Sequence, residues 1–320
     1  MESAIVKKHV KEKLKHKSQS RLKINSVIKE IRNNVTSYVM IAPFALLFIV
    51  FVFVPVIASI ILSFTYFNML QIPKWIGFEN YARLFLSDDV FIIAVQKTLL
   101  FAIITGPIGY ILSFIFAWFI NELGRKLRAF MTLILYAPSL AGNVYFIWTF
   151  IFSGDAFGLV NSTLMKIGIL KDPIQWLTDS KYSFKVVLIV IIWLSLGAGF
   201  LAFIAGLKTI DKTYYEAAAI DGVRNRWQEL WYVTLPQMVP QLLFGAVMSI
   251  SSSFAVGYQS MALTGFPSSN YAAHTILLHM LDYGTIRFEM GYASAIAVVL
   301  FSLMLFTWWL INNLLSKLSS

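Results

Sequence analysis

Six runs of predominantly apolar residues, each more than 20 residues long, organise this chain of 320 residues. They lie near Tyr38–Tyr66, Ile92–Ile120, Leu127–Phe152, Val186–Leu207, Leu235–Ser260 and Met290–Leu315. An α-helix needs about 20 apolar residues to cross a bilayer, and soluble cores rarely contain such runs. The expectation is an all-α membrane protein with six transmembrane helices. Composition agrees, with 58% hydrophobic and only 13% charged residues, against roughly a quarter charged in soluble domains. A soluble enzyme and a disordered chain are both excluded. With no cysteine, disulfide frameworks and thiolate metal sites are excluded as well. Pro43, Pro55, Pro107, Pro138 and Pro240 fall inside the runs, where neighbouring helices can satisfy the freed backbone groups. The first run follows a long polar leader and is too long for the apolar core of a signal peptide, so it is read as a retained span.

Charge sets the expected orientation. The leader 1–37 holds ten Lys and Arg, the loop 121–128 three, the segment 208–234 four and the tail one, whereas the opposite side holds eight. Acidic residues divide evenly, eight to a side. By the positive-inside rule the basic face and both termini are cytoplasmic. The positive balance therefore reads as topology, and no nucleic-acid partner is expected. Two regions follow: a basic leader, 1–37, and a six-span domain, 38–320. Within the leader, Met1–Ser20 is expected to be a disordered, solvated charge run. From Leu22 to Val35 apolar residues recur at helical spacing between Lys23, Lys29 and Arg32, as in a helix lying on the membrane surface.

No catalytic constellation stands out. There is no phosphate-binding G-x-x-x-x-G-K-[ST] loop and no G-x-S-x-G elbow. His274 and His279 are five apart, the wrong interval for a metal pair on one helical face. No cofactor is expected in this chain. Apart from Lys97, and Arg128 at the edge of its run, the hydrophobic runs carry no Asp, Glu, Lys or Arg. An intramembrane charge costs at least ~2.5–3.5 kcal/mol and is kept where ions or protons are handled. The polar groups that remain are amides and hydroxyls, with aromatics among them. Asn143, Tyr145, Trp148, Trp193, Tyr258 and Gln259 are the candidate path residues, suited to a neutral, hydroxyl-rich solute and not to a charged one. For Ser249 and Ser253 helix packing is the better reading.

The cytoplasmic segment between the fourth and fifth runs has a different character. Tyr214–Ile220 reads as a helix, Asp221–Gly222 as its end, and Trp227–Val233 as a second helical stretch leading to Pro236. Glu216-Ala217-Ala218, then Asp221-Gly222, then Leu235-Pro236 resembles the EAA signature of permeases of binding-protein-dependent ABC importers. Trp75-Ile76-Gly77-Phe78-Glu79-Asn80-Tyr81 with Lys97-Thr98-Leu99, and Met290-Gly291-Tyr292-Ala293-Ser294-Ala295, are similar to stretches of the maltose and oligosaccharide type. After Leu263-Thr264 the family usually has Gly-Gly-Pro, where this chain has Gly265-Phe266-Pro267.

The resemblance covers roughly Tyr38–Leu315 and implies the type I importer permease fold in a bacterial cytoplasmic membrane. It implies that segment 208–236 is a coupling helix docked on an ATPase subunit, with Glu216 pairing there, Gly222 allowing the bend and Trp231 standing where many members have Phe. It further implies a second homologous permease, two ATPase subunits that hold ATP and magnesium, an extracytoplasmic solute-binding protein, and a sugar as substrate. A polyol or glycerol-phosphate permease is the alternative within the family. An ion-coupled secondary transporter, the rival from another class, would need an inverted repeat and a midplane carboxylate.

Overall fold

The computed structural model describes residues 34–142 and 144–318. Met1–Ser20, nearly all of the expected surface helix and Asn143 lie outside the described residues. The chain divides into two compact units, Met1–Ala58 and Ser59–Ser320. In the first, a helix Val35–Phe48 passes through a π-turn, Ile49–Phe53, and resumes at Val54. Pro55 supplies the reason. It cannot donate an N–H to the carbonyl four residues back, and a wider turn relieves the ring clash. No residue described in this unit is buried, as expected for a surface made for lipid or another protein rather than for this chain's own core.

In the second unit the long helix Asp89–Asn121 is the axis. Asp88 caps it by accepting from the Phe91 N–H at 2.9 Å, which satisfies one of the orphan donors of the first turn. Three buried clusters line up along this helix. Phe91, Ala94 and Ala102 join a cluster with Ile276, Tyr292 and Ile296. Phe101 joins one with Val186, Val187, Val190 and Leu263. Phe114, Ala117 and Trp118 join one with Phe200, Phe203 and Leu207. Spans two, four, five and six therefore share one core.

Among the described residues, four helices are long and apolar enough to cross a membrane, and two bent pairs bring the number to six. The expected third and fifth spans are not straight. Arg125–Leu140 and Tyr145–Ile151 meet at 89°, and Arg226–Gln237 and Val239–Phe254 at 82°. The first bend follows Pro138, with extended backbone at Ala141. The second falls between Pro236 and Pro240, beyond a further π-turn at Leu230–Thr234. Proline removes backbone donors on both sides of that break, so helix cannot run through it unbroken. The fifth span also ends earlier than expected, at Phe254, and Tyr258–Thr264 is a separate short helix.

Candidate functional site

Spans two, four and five enclose a cavity of about 160 Å³. The fourth span makes room for it. Its helix Ser180–Leu194 stops, and a new one begins at Ala198. At the break the Ser195 carbonyl accepts from the Ser113 hydroxyl of span two at 3.1 Å. A side chain at Gly109 would run into Ser195, so glycine there lets the two backbones approach. Opposite, the Ser249 hydroxyl of span five donates to the Gly106 carbonyl at 2.8 Å. Ser253 donates within its own helix to Ile250 at 2.9 Å. Ser249 thus ties span five to span two, whereas Ser253 bonds only within its own helix, and both border the cavity.

The lining is uncharged. Thr105, Tyr110, Ser113, Ser195, Ser249, Ser252, Ser253 and Gln259 are its polar side chains, with Phe203 and Met248 among the apolar ones, and no Asp, Glu, Lys or Arg among the described residues borders it. Each hydroxyl that spends its proton on a backbone carbonyl keeps lone pairs as acceptors. Such a wall can exchange hydrogen bonds with a neutral polyhydroxylated solute and offers no counter-ion to a charged one.

Of the expected path residues, Gln259 borders this cavity. Tyr258 beside it meets Tyr145 edge to face, ring centroids 5.7 Å apart. Trp148 meets Trp193 at 5.2 Å and stacks on Phe152 at 5.8 Å. Trp193 lines a different, apolar groove with Phe116, Ile134 and Pro138. The aromatics therefore form two pairs outside the hydroxyl-lined cavity. Ser113 and Ser195 were not singled out in the sequence, because nothing in their spacing says that a helix break will bring them together.

The segment between spans four and five folds as two short helices, Lys212–Ile220 and Arg226–Glu229, the second continuing into the π-turn. Asp211 caps the first by accepting from the Thr213 N–H. Asn225 caps the second by accepting from Gln228, whose own amide oxygen accepts from the Arg224 N–H. Gly222, at φ +94, ends the first helix. The Val223 N–H reaches the Ala218 carbonyl at 2.9 Å and the Gly222 N–H the Ala219 carbonyl at 3.3 Å, which is the Schellman arrangement that favours glycine. The segment is held to span two by Arg226, which pairs with Glu122 at 3.0 Å and Glu229 at 2.6 Å, and by Trp227, 5.3 Å from Trp118. Glu216, Ala217, Asp221 and Pro236 are exposed, and Ala218 is half-buried. Ile220, Trp231 and Tyr232 stand out at 87%, 65% and 73% exposure. Large exposed apolar side chains of this kind are suited to contact with lipid or a partner.

A multi-pass helical chain with an uncharged cavity between its spans and an exposed helical elbow on a connecting loop is a transport permease. It belongs to the family of binding-protein-dependent transport system inner membrane components, whose model matches residues 106–320. The chain is similar to the probable ABC transporter permease protein YesP of Bacillus subtilis, 31% identical over 90% of this chain and 92% of that one. It is similar also to the lactose transport system permease protein LacF of Rhizobium radiobacter, 30% identical over 83% and 89%. Its fold matches a chain in the crystal structure of a bacterial alginate ABC transporter in complex with an alginate pentasaccharide-bound periplasmic protein, with TM-score 0.75, 23% identity and coverage of 91% and 98%.

Proposed function

We propose that this permease carries a neutral sugar or oligosaccharide into a bacterial cell, as one of two homologous membrane subunits of an ATP-driven importer. The observation that carries the reading is the uncharged wall of Thr105, Ser113, Ser195, Ser252 and Gln259. A glycerol-phosphate would need a cation there. A relative named for lactose transport supports a carbohydrate. The basic leader and loops support cytoplasmic termini in the plasma membrane.

ATP and magnesium are held by partner subunits. The exposed elbow around Glu216 docks on one ATPase, and a loaded binding protein delivers sugar on the opposite side. ATP binding drives the elbows inward and turns the cavity outward, and hydrolysis resets it. Glu216 is exposed and carries its charge toward the partner. Truncating it removes a charge-assisted hydrogen bond of about 1.5–3 kcal/mol.

The test is ATP-driven uptake of labelled neutral oligosaccharides by proteoliposomes holding the assembled transporter and its binding protein. Uptake by the parent and its loss in Glu216→Ala, at unchanged subunit content, support the reading. Unchanged uptake in Glu216→Ala overturns the docking role. Uptake of glycerol-phosphate in place of sugar overturns the substrate.

A further inference from the structure

Asp88, His279 and His274 form a buried hydrogen-bonded chain that the transport reading does not use. The Asp88 carboxylate accepts from His279 Nε2 at 3.0 Å and from the Tyr292 hydroxyl at 2.8 Å. A carboxylate only accepts, so His279 carries its proton on Nε2 and offers Nδ1 as an acceptor. His274 Nε2 then donates to that Nδ1, 3.2 Å away. His274 Nδ1 is left buried and unpartnered. Both histidines are 2% exposed. Their interval is wrong for a metal pair on one helical face, and among the described residues no such group forms, yet the two rings meet. They do so because His274 lies in the loop that precedes the helix Ile276–Leu281.

This chain joins three elements. Asp88 caps span two, His279 lies in the short helix after the loop, and Tyr292 opens span six. Directly before His279 the segment 256–276 is stitched down. Thr275 donates to the Val256 carbonyl, Ser260 to the Ala273 carbonyl, and the Ile276 N–H donates to the Thr98 hydroxyl of span two. The same segment carries Gln259 into the cavity wall.

We propose that Asp88, His279 and His274 form a proton-sensitive latch that positions the 256–276 segment, and through it Gln259. The inference rests on the permease reading only for its consequence in uptake. One added proton has nowhere to settle. On His274 it places an N–H at Nδ1, where no acceptor waits. On His279 it turns Nδ1 into a donor facing His274 Nε2, so His274 must shift its own proton to the same unpartnered Nδ1.

The surroundings agree. Burial, then the neighbouring His279, push His274 down to about 4 against the pull of Asp282 and Asp88. Burial lowers His279 too, against Asp88 and Asp282 and aided by Arg287. For Asp88, burial works upward, but the Phe91 N–H, the Tyr292 hydroxyl and His279 together hold its carboxyl below the usual range. Phe91 and Tyr283 pack on His279, and Phe266 and Tyr271 on His274. Because the histidines sit lower in the closed latch than in an open one, the open state binds more protons between their two ranges. The latch is therefore at full strength above pH 6.5, the ordinary histidine value, and weakens as pH falls toward 4.

The test uses the cysteine-free chain in its assembled membrane complex. A thiol at buried Ala272→Cys reports opening, and one at exposed Lys171→Cys corrects for the intrinsic pH dependence of the reaction. The ratio of labelling rates should rise between pH 7 and 5, by as much as tenfold per pH unit for each coupled proton. His274→Gln keeps a donor toward His279 but does not titrate, and should flatten that rise. Sugar uptake should fall severalfold over the same range in the parent and less in His274→Gln. A flat ratio in the parent, or an unchanged rise in His274→Gln, overturns the latch. Absence of uptake at every pH counts against the permease reading alone, because labelling decides the latch independently.

Discussion

Arg226, at the start of the second helix of the elbow, reaches back 3.0 Å to Glu122 at the end of span two. The pair ties the exposed elbow to the helix that forms the axis of the core. That helix also contributes Thr105 and Ser113 to the cavity, so the pair connects the elbow to an element of the cavity wall. The bridge is solvent-exposed, and such pairs contribute less than about 1 kcal/mol. Its role is alignment rather than stability. Glu122→Gln and Arg226→Gln should each leave the amount of folded protein unchanged while lowering the uptake achieved per ATP hydrolysed. The exchanged pair, Glu122→Arg with Arg226→Glu, should recover part of it. Uptake and ATP turnover measured on the same vesicles give the ratio.

Gly222 has no atom within 4 Å of where a Cβ would stand, yet its φ is +94. A side chain there meets strain and no clash within this chain. Gly222→Ala should cost about 1 kcal/mol of local helix-end stability. A clash with the ATPase groove would show separately, as a progressive loss of ATPase co-purification from Ala to Leu. Equal co-purification in both variants would place the whole effect in the backbone.

Gly291 opens span six against the β-hairpin Thr65–Tyr66/Lys74–Trp75. Its N–H donates to the Phe67 carbonyl at 3.0 Å, and a Cβ would overlap the Thr65 carbonyl oxygen. Backbone cannot swing aside as a flexible side chain does. Gly291→Ala should therefore destabilise by about 1–3 kcal/mol, visible as a lower Tm of the purified protein. Gly124→Ala, where nothing lies within 4 Å, is the matched control and should leave Tm unchanged.

Gln259 and Trp148 should separate under truncation. Gln259 borders the cavity and bonds only locally, accepting from the Gly257 N–H at 3.2 Å. Gln259→Ala should lower uptake at normal protein levels. Trp148 packs between Phe152 and Trp193, so Trp148→Ala should remove about 3 kcal/mol of stability. Immunoblots of membranes alongside uptake rates distinguish the two outcomes.

Much of this protein was legible in the chain itself. Six apolar runs must become six helical spans, because hydrocarbon leaves backbone groups no partner but one another. The elbow was legible for a local reason: Asp221–Gly222 ends a helix within a turn of its own position, whereas the caps Asp211 and Asn225 emerged only in the structure. The scarcity of charge along the spans, Lys97 and Arg128 apart, already pointed to a neutral solute. Tertiary structure alone decided what depended on distant neighbours. Pro138 and Pro236 allow a bend, but its angle comes from the helices packed on either side. Ser113 met Ser195 across a break that their spacing does not encode. His274 and His279, set aside on a helical interval, met because one of them is outside the helix. The aromatics Trp148, Trp193, Tyr145 and Tyr258 paired with each other rather than lining the hydroxyl-bearing cavity. Hydrophobicity and turn chemistry act along the chain and can be read there. Which polar groups face one another is set by packing between segments 80 to 190 residues apart, as for Ser113 and Ser195 or Asp88 and His279.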